Sequence, residues 1–276
     1  MTGTSAKALD NWWGSAKMAD VLAGIKGRVD VHSVLDAPYP QGKTQAVSIM
    51  DKKLGGPIKT DSYLILSNSP YRITKDVIID GGATLTIEPG VVLEFDSKTS
   101  IITLNGGMIA RGTKDKPITF TAASSSPTPG LYTSAVRFSE ATKVNSSFAY
   151  CIVKYAVTAF DIYEGSPEIS HSYIAYSSQN AIYCRKNVTP VISYNTFAEN
   201  QGEGAITCVG AANPKIFQNN FIGNAVAIQS FATIYIDARN NWWGKAPPDP
   251  KIFWGENINT KPWLLKENPD AFKESR

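Results

Sequence analysis

The feature of this chain that most limits its fold is a repeat of about two dozen residues between positions 135 and 230. Five tetrapeptides that begin with alanine start 24, 22, 24 and 22 residues apart: Ala135–Phe138, Ala159–Ile162, Ala181–Cys184, Ala205–Cys208 and Ala227–Ser230. Turn-forming runs such as Glu164–Pro167 lie between them and second apolar blocks such as Ile169–Ile174. Self-similarity at this period is the signature of a solenoid, in which each repeat packs on its neighbours.

Within each tetrapeptide the alternation places the second and fourth residues on one face of a strand and the third on the other. Stacked copies therefore bury two files of side chains: Val136, Phe160, Ile182, Ile206 and Ile228, beside Phe138, Ile162, Cys184, Cys208 and Ser230. One such strand cannot bury its apolar face alone, whereas five in register form a continuous core. Burial of apolar area, at roughly 25 cal/mol per Å², is then the main stabilising contribution.

The stretch from Asp76 to Thr121 alternates in the same way and is punctuated by Gly and Asn. We therefore predict an all-β fold, a right-handed parallel β-helix solenoid with capping segments at both ends. The predicted division is an N-terminal capping segment at 1–60, the parallel β-helix at 61–244, and a C-terminal cap and tail at 245–276.

Three segments in this stretch carry a family resemblance: Thr84–Phe95, Gly107–Thr113 and Lys116–Thr121. Together they resemble the first coils of bacterial right-handed β-helix proteins of the pectin-lyase-like superfamily, and the likeness runs from about 60 to 265. That superfamily includes lyases, hydrolases, epimerases and non-catalytic envelope proteins. The resemblance therefore implies the fold strongly and an activity only weakly, because one fold hosts many functions.

A duplicated motif marks the two ends of the chain. Asn240–Gly244 reads NNWWG and resembles the exit segment of such β-helices, while Asp10–Gly14 reads DNWWG some 230 residues upstream. One interpretation is that residues 1 to 40 are the tail of a preceding β-helix module in a longer protein. The other is an ordinary N-terminal cap that covers the open bore with two large aromatic residues. A short helix over Lys17–Ile25 suits either interpretation.

The third positions of the tetrapeptides predict an outward file at about 4.8 Å steps. Its members are Arg137, Asp161, Tyr183, Thr207 and Gln229, with Arg185 two residues beyond Tyr183 on the same face. In the resembled enzymes the sugar lies along such a face, so these six residues are candidates for binding a glycan. The alternative is an ordinary solvated β face, in which an exposed Arg137–Asp161 pair contributes at most about 1 kcal/mol.

Catalysis requires more acidic groups than this file supplies. A lyase needs carboxylates that hold Ca²⁺ and a base that takes a proton, whereas the file contains Asp161 alone, with Glu140, Glu164 and Glu203 in nearby loops. A hydrolase needs two carboxylates that flank the scissile bond, and the chain lacks the Asp-Asp pair and the Gly-His-Gly run of polygalacturonase-type relatives. No catalytic residue is assigned, and no cofactor is expected unless a lyase activity uses Ca²⁺.

These observations leave three functional hypotheses. The leading one is a non-catalytic β-helix module of a bacterial envelope or secreted protein, which binds a polysaccharide or a cell-surface protein. The second is a polysaccharide lyase, or another carbohydrate-active enzyme acting on an acidic glycan, centred on Arg137, Asp161, Tyr183 and Arg185. The third is an assembly subunit joined end to end with further β-helix modules of the same protein.

Charge and hydropathy restrict the partners and the compartment. The net charge is +3 and the 27 Lys and Arg residues are scattered, so no basic stripe for nucleic acid is present. No apolar run approaches the roughly 20 residues that would span a bilayer, and the opening residues lack the pattern of a signal peptide. We expect an extracellular or cell-envelope protein whose signal peptide is absent from this sequence.

A few polar residues have structural interpretations. Cys184 and Cys208 occupy equivalent positions in neighbouring repeats, and we expect a reduced buried pair rather than a disulfide or a metal site. Ser172, Asn195 and Asn219 share one position and predict a ladder of amides. His171 is assigned no role, because a lone histidine on a strand is more often exposed or hydrogen-bonded than a ligand.

Overall fold

The computed structural model describes residues 6–15, 20–21, 24, 29–30, 33–46, 48–139 and 144–274. The N-terminal strands are β1 (Ala6–Lys7), β2 (Val29–Asp30), β3 (Ser33–Leu35) and β4 (Thr44–Ala46). The next strands are β5 (Ser48–Ile49), β6 (Lys53–Ile58), β7 (Ser62–Leu64), β8 (Tyr71–Ile79), β9 (Thr84–Ile87), β10 (Val92–Phe95), β11 (Ser100–Thr103), β12 (Gly107–Arg111), β13 (Ile118–Ala122) and β14 (Tyr132–Phe138). Short 3-10 helices lie at Leu66–Asn68 and Pro250–Ile252.

The repeat region and the C-terminal region contain the other fifteen strands. They are β15 (Ser147–Ala149), β16 (Cys151–Lys154), β17 (Ala156–Ile162), β18 (Glu168–Ser170), β19 (Tyr173–Ala175), β20 (Asn180–Cys184), β21 (Val191–Ser193), β22 (Thr196–Ala198), β23 (Gly204–Gly210), β24 (Lys215–Phe217), β25 (Asn220–Ile222), β26 (Ile228–Ala232), β27 (Ile236–Asp237), β28 (Phe253–Trp254) and β29 (Ile258–Asn259). Most of the predicted helix over 17–25 lies outside the described residues.

Most strands from β5 onward form three parallel ladders, and each full coil contributes a strand, or half of β8, to each ladder. Face A contains β5, β7, β9, β12, β15, β18, β21 and β24. Face B contains the first half of β8 with β10, β13, β16, β19, β22 and β25, and face C contains its second half with β11, β14, β17, β20, β23, β26 and β28. The predicted parallel β-helix is therefore confirmed, as a solenoid of about nine coils.

The ladders extend past both ends of the 61–244 range. β5 pairs with β7 and β6 pairs with β8, so the first coil begins before residue 61. At the other end β28 and β29 both follow residue 244, and they pair with β26 and β27. The N-terminal strands pair among themselves, β1 with β2 in parallel and β3 with β4 antiparallel.

The predicted core files are confirmed. Val136, Phe160, Ile182, Ile206 and Ile228 face one another in register on face C, and each is fully buried. Other apolar side chains enter the bore from faces A and B, as Phe148 and Phe197 do. Phe148 packs edge-on against Phe160, with ring centroids 5.0 Å apart.

In the four coils from β15 to β26, two left-handed corners turn the chain from one face to the next. The corner between faces A and B is a residue with positive φ, at Tyr150, His171, Tyr194, Gln218 and Asn240. The corner between faces B and C has positive φ at Tyr155, Tyr176, Glu199 and Gly223. Side chains that follow each corner then bond to backbone groups of the preceding coil, which the turn leaves unpaired.

The predicted amide ladder forms at the first corner. Asn195 Oδ1 accepts from the backbone N–H of Ser172, and Asn219 Oδ1 accepts from that of Asn195. Asn241 Oδ1 continues the series by accepting from the N–H of Asn219 at 2.8 Å. A second ladder, which the sequence analysis missed, runs through Asn200 and Asn224 at the other corner.

The described cysteines are buried free thiols in this structure. Cys184 and Cys208 are direct neighbours in the face C ladder, and a hydrogen bond between them, with burial, raises the pKa of the Cys184 thiol. Burial likewise raises the pKa of Cys151 to about 12. A raised pKa keeps a thiol protonated, and only the thiolate is reactive, so these buried side chains serve to fill the core.

Candidate functional site

The predicted file of third positions exists in the predicted register. Arg137 pairs with Asp161, Asp161 with Tyr183, Tyr183 with Thr207, and Thr207 with Gln229 along face C. Parallel pairing places these five side chains on the outer side of neighbouring strands, at the spacing of adjacent strands in a sheet. The repeat alone was sufficient to align them.

Their predicted exposure is wrong for three of the five. Asp161, Thr207 and Gln229 are buried, with 4%, 4% and 1% of their surface exposed. Asn180 covers this side of the sheet by donating from Nδ2 to the Thr207 hydroxyl at 2.8 Å, and Thr207 in turn contacts Gln229 Oε1 at 3.3 Å. These polar side chains therefore satisfy one another, and only the end of the file near Arg137 and Tyr183 is open to solvent.

The open end is built around the carboxylate of Asp161. Arg137 Nε lies 3.1 Å from Asp161 Oδ2, and Arg185 Nη2 lies 3.2 Å from Asp161 Oδ1. The Asp161 side chain is 6% exposed, whereas those of Arg137 and Arg185 are 45% and 33% exposed. One buried carboxylate thus anchors two guanidinium groups whose outer edges face solvent.

Aromatic rings lie beside these cations. The Arg185 guanidinium lies 4.2 Å from the centre of the Tyr183 ring and 5.9 Å from that of Tyr163. Lys186 lies 4.0 Å from the Tyr163 ring and pairs with Glu164, a hydrogen bond that raises the pKa of the lysine. We call Arg137, Asp161, Tyr163, Tyr183 and Arg185 the arginine face.

A second surface lies at the corner between faces A and B, where the sequence analysis assigned no role. Tyr150, His171 and Tyr194 stack as parallel rings, with centroids 5.1 and 4.9 Å apart. His171 is therefore a corner residue with φ of 45° rather than a strand residue as predicted. The signal for this stack was the recurrence of ring residues at the corner position of successive coils.

The C-terminal tail borders this aromatic corner. Phe272 packs edge-on against Tyr150, its N–H donates to the carbonyl of Tyr194, and Glu274 pairs with Lys154 at 2.7 Å. Between tail and corner lies an open cavity of about 690 Å³, lined also by Lys114 and Asp270. The predicted tail is thus a strap that runs back along the solenoid.

The stack makes stability depend on pH. Burial lowers the pKa of His171, although the nearby carboxylates of Asp270 and Glu168 act in the opposite direction. A group whose pKa is lower in the folded state contributes stability that is present above its unfolded value of about 6.5 and is lost as pH falls. We expect the urea midpoint of the wild-type chain to fall between pH 7.5 and pH 5.5 by more than that of His171→Phe, which keeps the stack without the titrating group. Equal changes in the two proteins would contradict this assignment.

No cluster of three or more His, Cys, Asp or Glu side chains that could hold a metal ion was found in the described ranges. No helix in the part of the chain that the structure describes is long and apolar enough to cross a membrane.

Comparisons with known proteins agree with the fold. Residues 56–155 match a family described as the pectate-lyase-like beta helix domain. A protein of Drosophila melanogaster, Protein bark beetle, is 30% identical over 129 residues, which cover 41% of this chain and 4% of that protein. No solved structure matches the chain at a significant level. Residues 56–155 thus resemble a pectate-lyase-like β-helix domain, and the chain folds as a parallel β-solenoid of about nine coils.

Proposed function

We propose that this domain is a non-catalytic module of a longer extracellular or cell-envelope protein, and that its arginine face binds an acidic glycan. The observation that carries the proposal is the pair of half-exposed guanidinium groups, Arg137 and Arg185, on either side of the buried Asp161 carboxylate. The small fraction of the relative that the match covers, 4%, supports a domain within a larger chain.

The chemistry of the arginine face suits a carboxylated sugar. Guanidinium groups present several N–H donors in a planar fork, which matches a carboxylate in shape and charge. Asp161 engages Nε of Arg137 and one Nη of Arg185, so other donors of both groups remain for a ligand. The rings of Tyr163 and Tyr183 add flat apolar surface beside them, where they also restrain Arg185.

A lyase is the alternative, and the contacts of Asp161 argue against it. A proton-abstracting base must reach the substrate, whereas the Asp161 carboxylate is buried and already paired with two cations. The same contacts fit an anchoring role, because a buried charge that keeps its partners is far less costly than one that loses them. A protein partner with an acidic surface is the other alternative to a glycan.

The binding experiment compares four proteins. We expect polygalacturonate, used as an acidic polysaccharide probe in titration calorimetry, to bind the wild-type chain and to lose at least about tenfold in affinity with Arg185→Ala or Arg137→Ala, because each loses a charge-assisted contact worth about 1.4 kcal/mol or more. Arg239→Ala is the matched control, since Arg239 is also an exposed arginine that pairs with an aspartate, Asp237.

Three outcomes would count against the proposal. Equal affinity of all four proteins would show that the polysaccharide binds elsewhere on the chain. Absence of binding by the wild-type chain would contradict the proposal that the ligand is an acidic glycan. Growth of ultraviolet absorbance from an unsaturated product would instead establish the lyase. Melting temperatures measured on the same samples separate lost contacts from unfolding, which matters because each arginine also neutralises Asp161.

The origin and compartment stay predictions. The resemblance implied a bacterial protein, whereas the relative reported above is from Drosophila melanogaster. An extracellular or envelope location would be tested by fractionating cells of the source organism with an antibody against this domain.

A further inference from the structure

The N-terminal segment repeats the backbone geometry of the C-terminal exit segment. Asp10 and Asn240, the first residues of the duplicated motif, have φ of 54° and 58°. Gly14 and Gly244, its last residues, have φ of 84° and 82°. Strand β1 pairs in parallel with β2 just as β27 pairs with β29.

The hydrogen bonds repeat as well. The N–H of Asp10 donates to the carbonyl of Ser33, as the N–H of Asn240 donates to that of Pro262. The N–H groups of Leu35 and Leu264 donate to the carbonyls of the motif's second residue, Asn11 and Asn241, both at 3.0 Å. Each of these asparagines also donates from Nδ2 to the carbonyl two residues upstream, Leu9 or Arg239.

The two copies differ in what lies on their N-terminal side. Asn241 Oδ1 accepts from the backbone N–H of Asn219, and Trp243 stacks on Phe221 at 4.6 Å, so the preceding coil covers the C-terminal copy. In the described part of the N-terminal copy, Asn11 is exposed, its Oδ1 has no donor, and β1 pairs only with β2. The described part of the N-terminal copy thus has the backbone of an exit segment but lacks the contacts that a preceding coil makes in the C-terminal copy.

We infer that residues 6–35 are the exit segment of a second β-helix that lies upstream in the same polypeptide, whose last full coil docks on β1 and Asn11. The chemistry of that coil follows from the C-terminal copy: a strand pairs with β1, a backbone N–H bonds to Asn11 Oδ1, and an aromatic ring stacks on Trp13. A second copy of this chain does not fit, because its own exit segment already covers its last coil. This inference is independent of the glycan proposal.

The first test places a copy of the N-terminal segment at the C-terminal end of the solenoid. In this variant, called the exchange variant, a copy of residues 6–35 replaces residues 236–264, and the rest of the chain is unchanged. We expect it to unfold cooperatively in urea, and we expect Asn11→Ala at the new location to lower its midpoint as Asn241→Ala lowers that of the wild-type chain. Asn11→Ala in the unaltered chain is the matched control and should leave the midpoint unchanged. An exchange variant that folds but is indifferent to Asn11→Ala would overturn the inference.

The second test decides the matter if the exchange variant does not fold. A copy of residues 48–235 is placed directly before Ala6 of the chain, so that β1 and the Asp10–Gly14 motif follow a complete set of coils. We expect amide hydrogen exchange of residues 10–35 to slow at least about tenfold, and Asn11→Ala to reverse that protection. Unchanged exchange in this extended chain would refute the upstream β-helix.

Discussion

Phe221→Ala is expected to destabilise the solenoid by about 3–5 kcal/mol, the range for deletion of a large buried aromatic side chain. The Phe221 ring is 2% exposed and lies between Phe197, 4.9 Å away, and Trp243, 4.6 Å away. It therefore connects the ring file of face B to the exit segment, and its loss would leave a cavity that the stacked coils cannot close. Urea unfolding followed by circular dichroism would measure the change.

Phe231→Ala is the control for this prediction. Phe231 is the same residue type in the next strand along the chain, but it is 58% exposed and its ring lies 6.2 Å from that of Trp254. We expect a change within about 0.5 kcal/mol, as for ordinary surface positions. Similar losses for Phe221→Ala and Phe231→Ala would show that burial in the bore does not determine the stability of this region.

Asn219→Ala is expected to cost about 2–4 kcal/mol, because it leaves several buried backbone groups without a partner. Asn219 Oδ1 accepts from the N–H of Asn195, and its Nδ2 donates to the carbonyls of Ile192 and Phe217. The residue is fully buried, so water cannot replace these bonds. The measurement is again the urea midpoint with its slope.

Two substitutions control this experiment. Asn187→Ala removes an exposed asparagine from a turn and should change the stability by less than about 0.5 kcal/mol. Asn219→Asp keeps the size and the acceptor but replaces the donating amide with oxygen, so we expect a loss at least as large as that of alanine. A stable aspartate variant would mean that the carbonyl bonds contribute little.

Both effects follow from the way in which a solenoid is stabilised. Each coil packs on two neighbours, so a defect in one file weakens the contact between coils as well as the coil itself. The same reasoning applies to the N-terminal copy, where the described residues leave exposed an asparagine, Asn11, whose counterpart Asn241 is buried and bonded to the preceding coil. Comparing the urea midpoints of the Asn219 and Asn11 variants would show whether the two ends of the chain depend on a neighbouring coil to the same extent.

The fold, the register and the inner files could be predicted from the repeat in the sequence. Parallel strands of equal spacing repeat their alternation from coil to coil, so five tetrapeptides were enough to predict that Phe160 packs beside Ile182 and that Asp161 follows Arg137. The amide ladder was also predictable, because asparagine recurs where a left-handed turn leaves backbone groups unpaired. The duplicated Trp-Trp motif predicted either the tail of a preceding module or an N-terminal cap, and the inferred second exit segment stays a prediction.

Which members of the outer file meet solvent depends on tertiary contacts that the repeat does not specify. Alternation separates two faces of a strand, but it does not say what covers the outer one. Asn180, in register with Thr158 and Gly204, covers Thr207, and neither of those two residues is an asparagine. The aromatic corner with its strap likewise depends on contacts between residues far apart in sequence, such as Tyr150 and Phe272. Local periodicity reports on neighbouring coils, whereas exposure depends on segments that arrive from elsewhere in the chain.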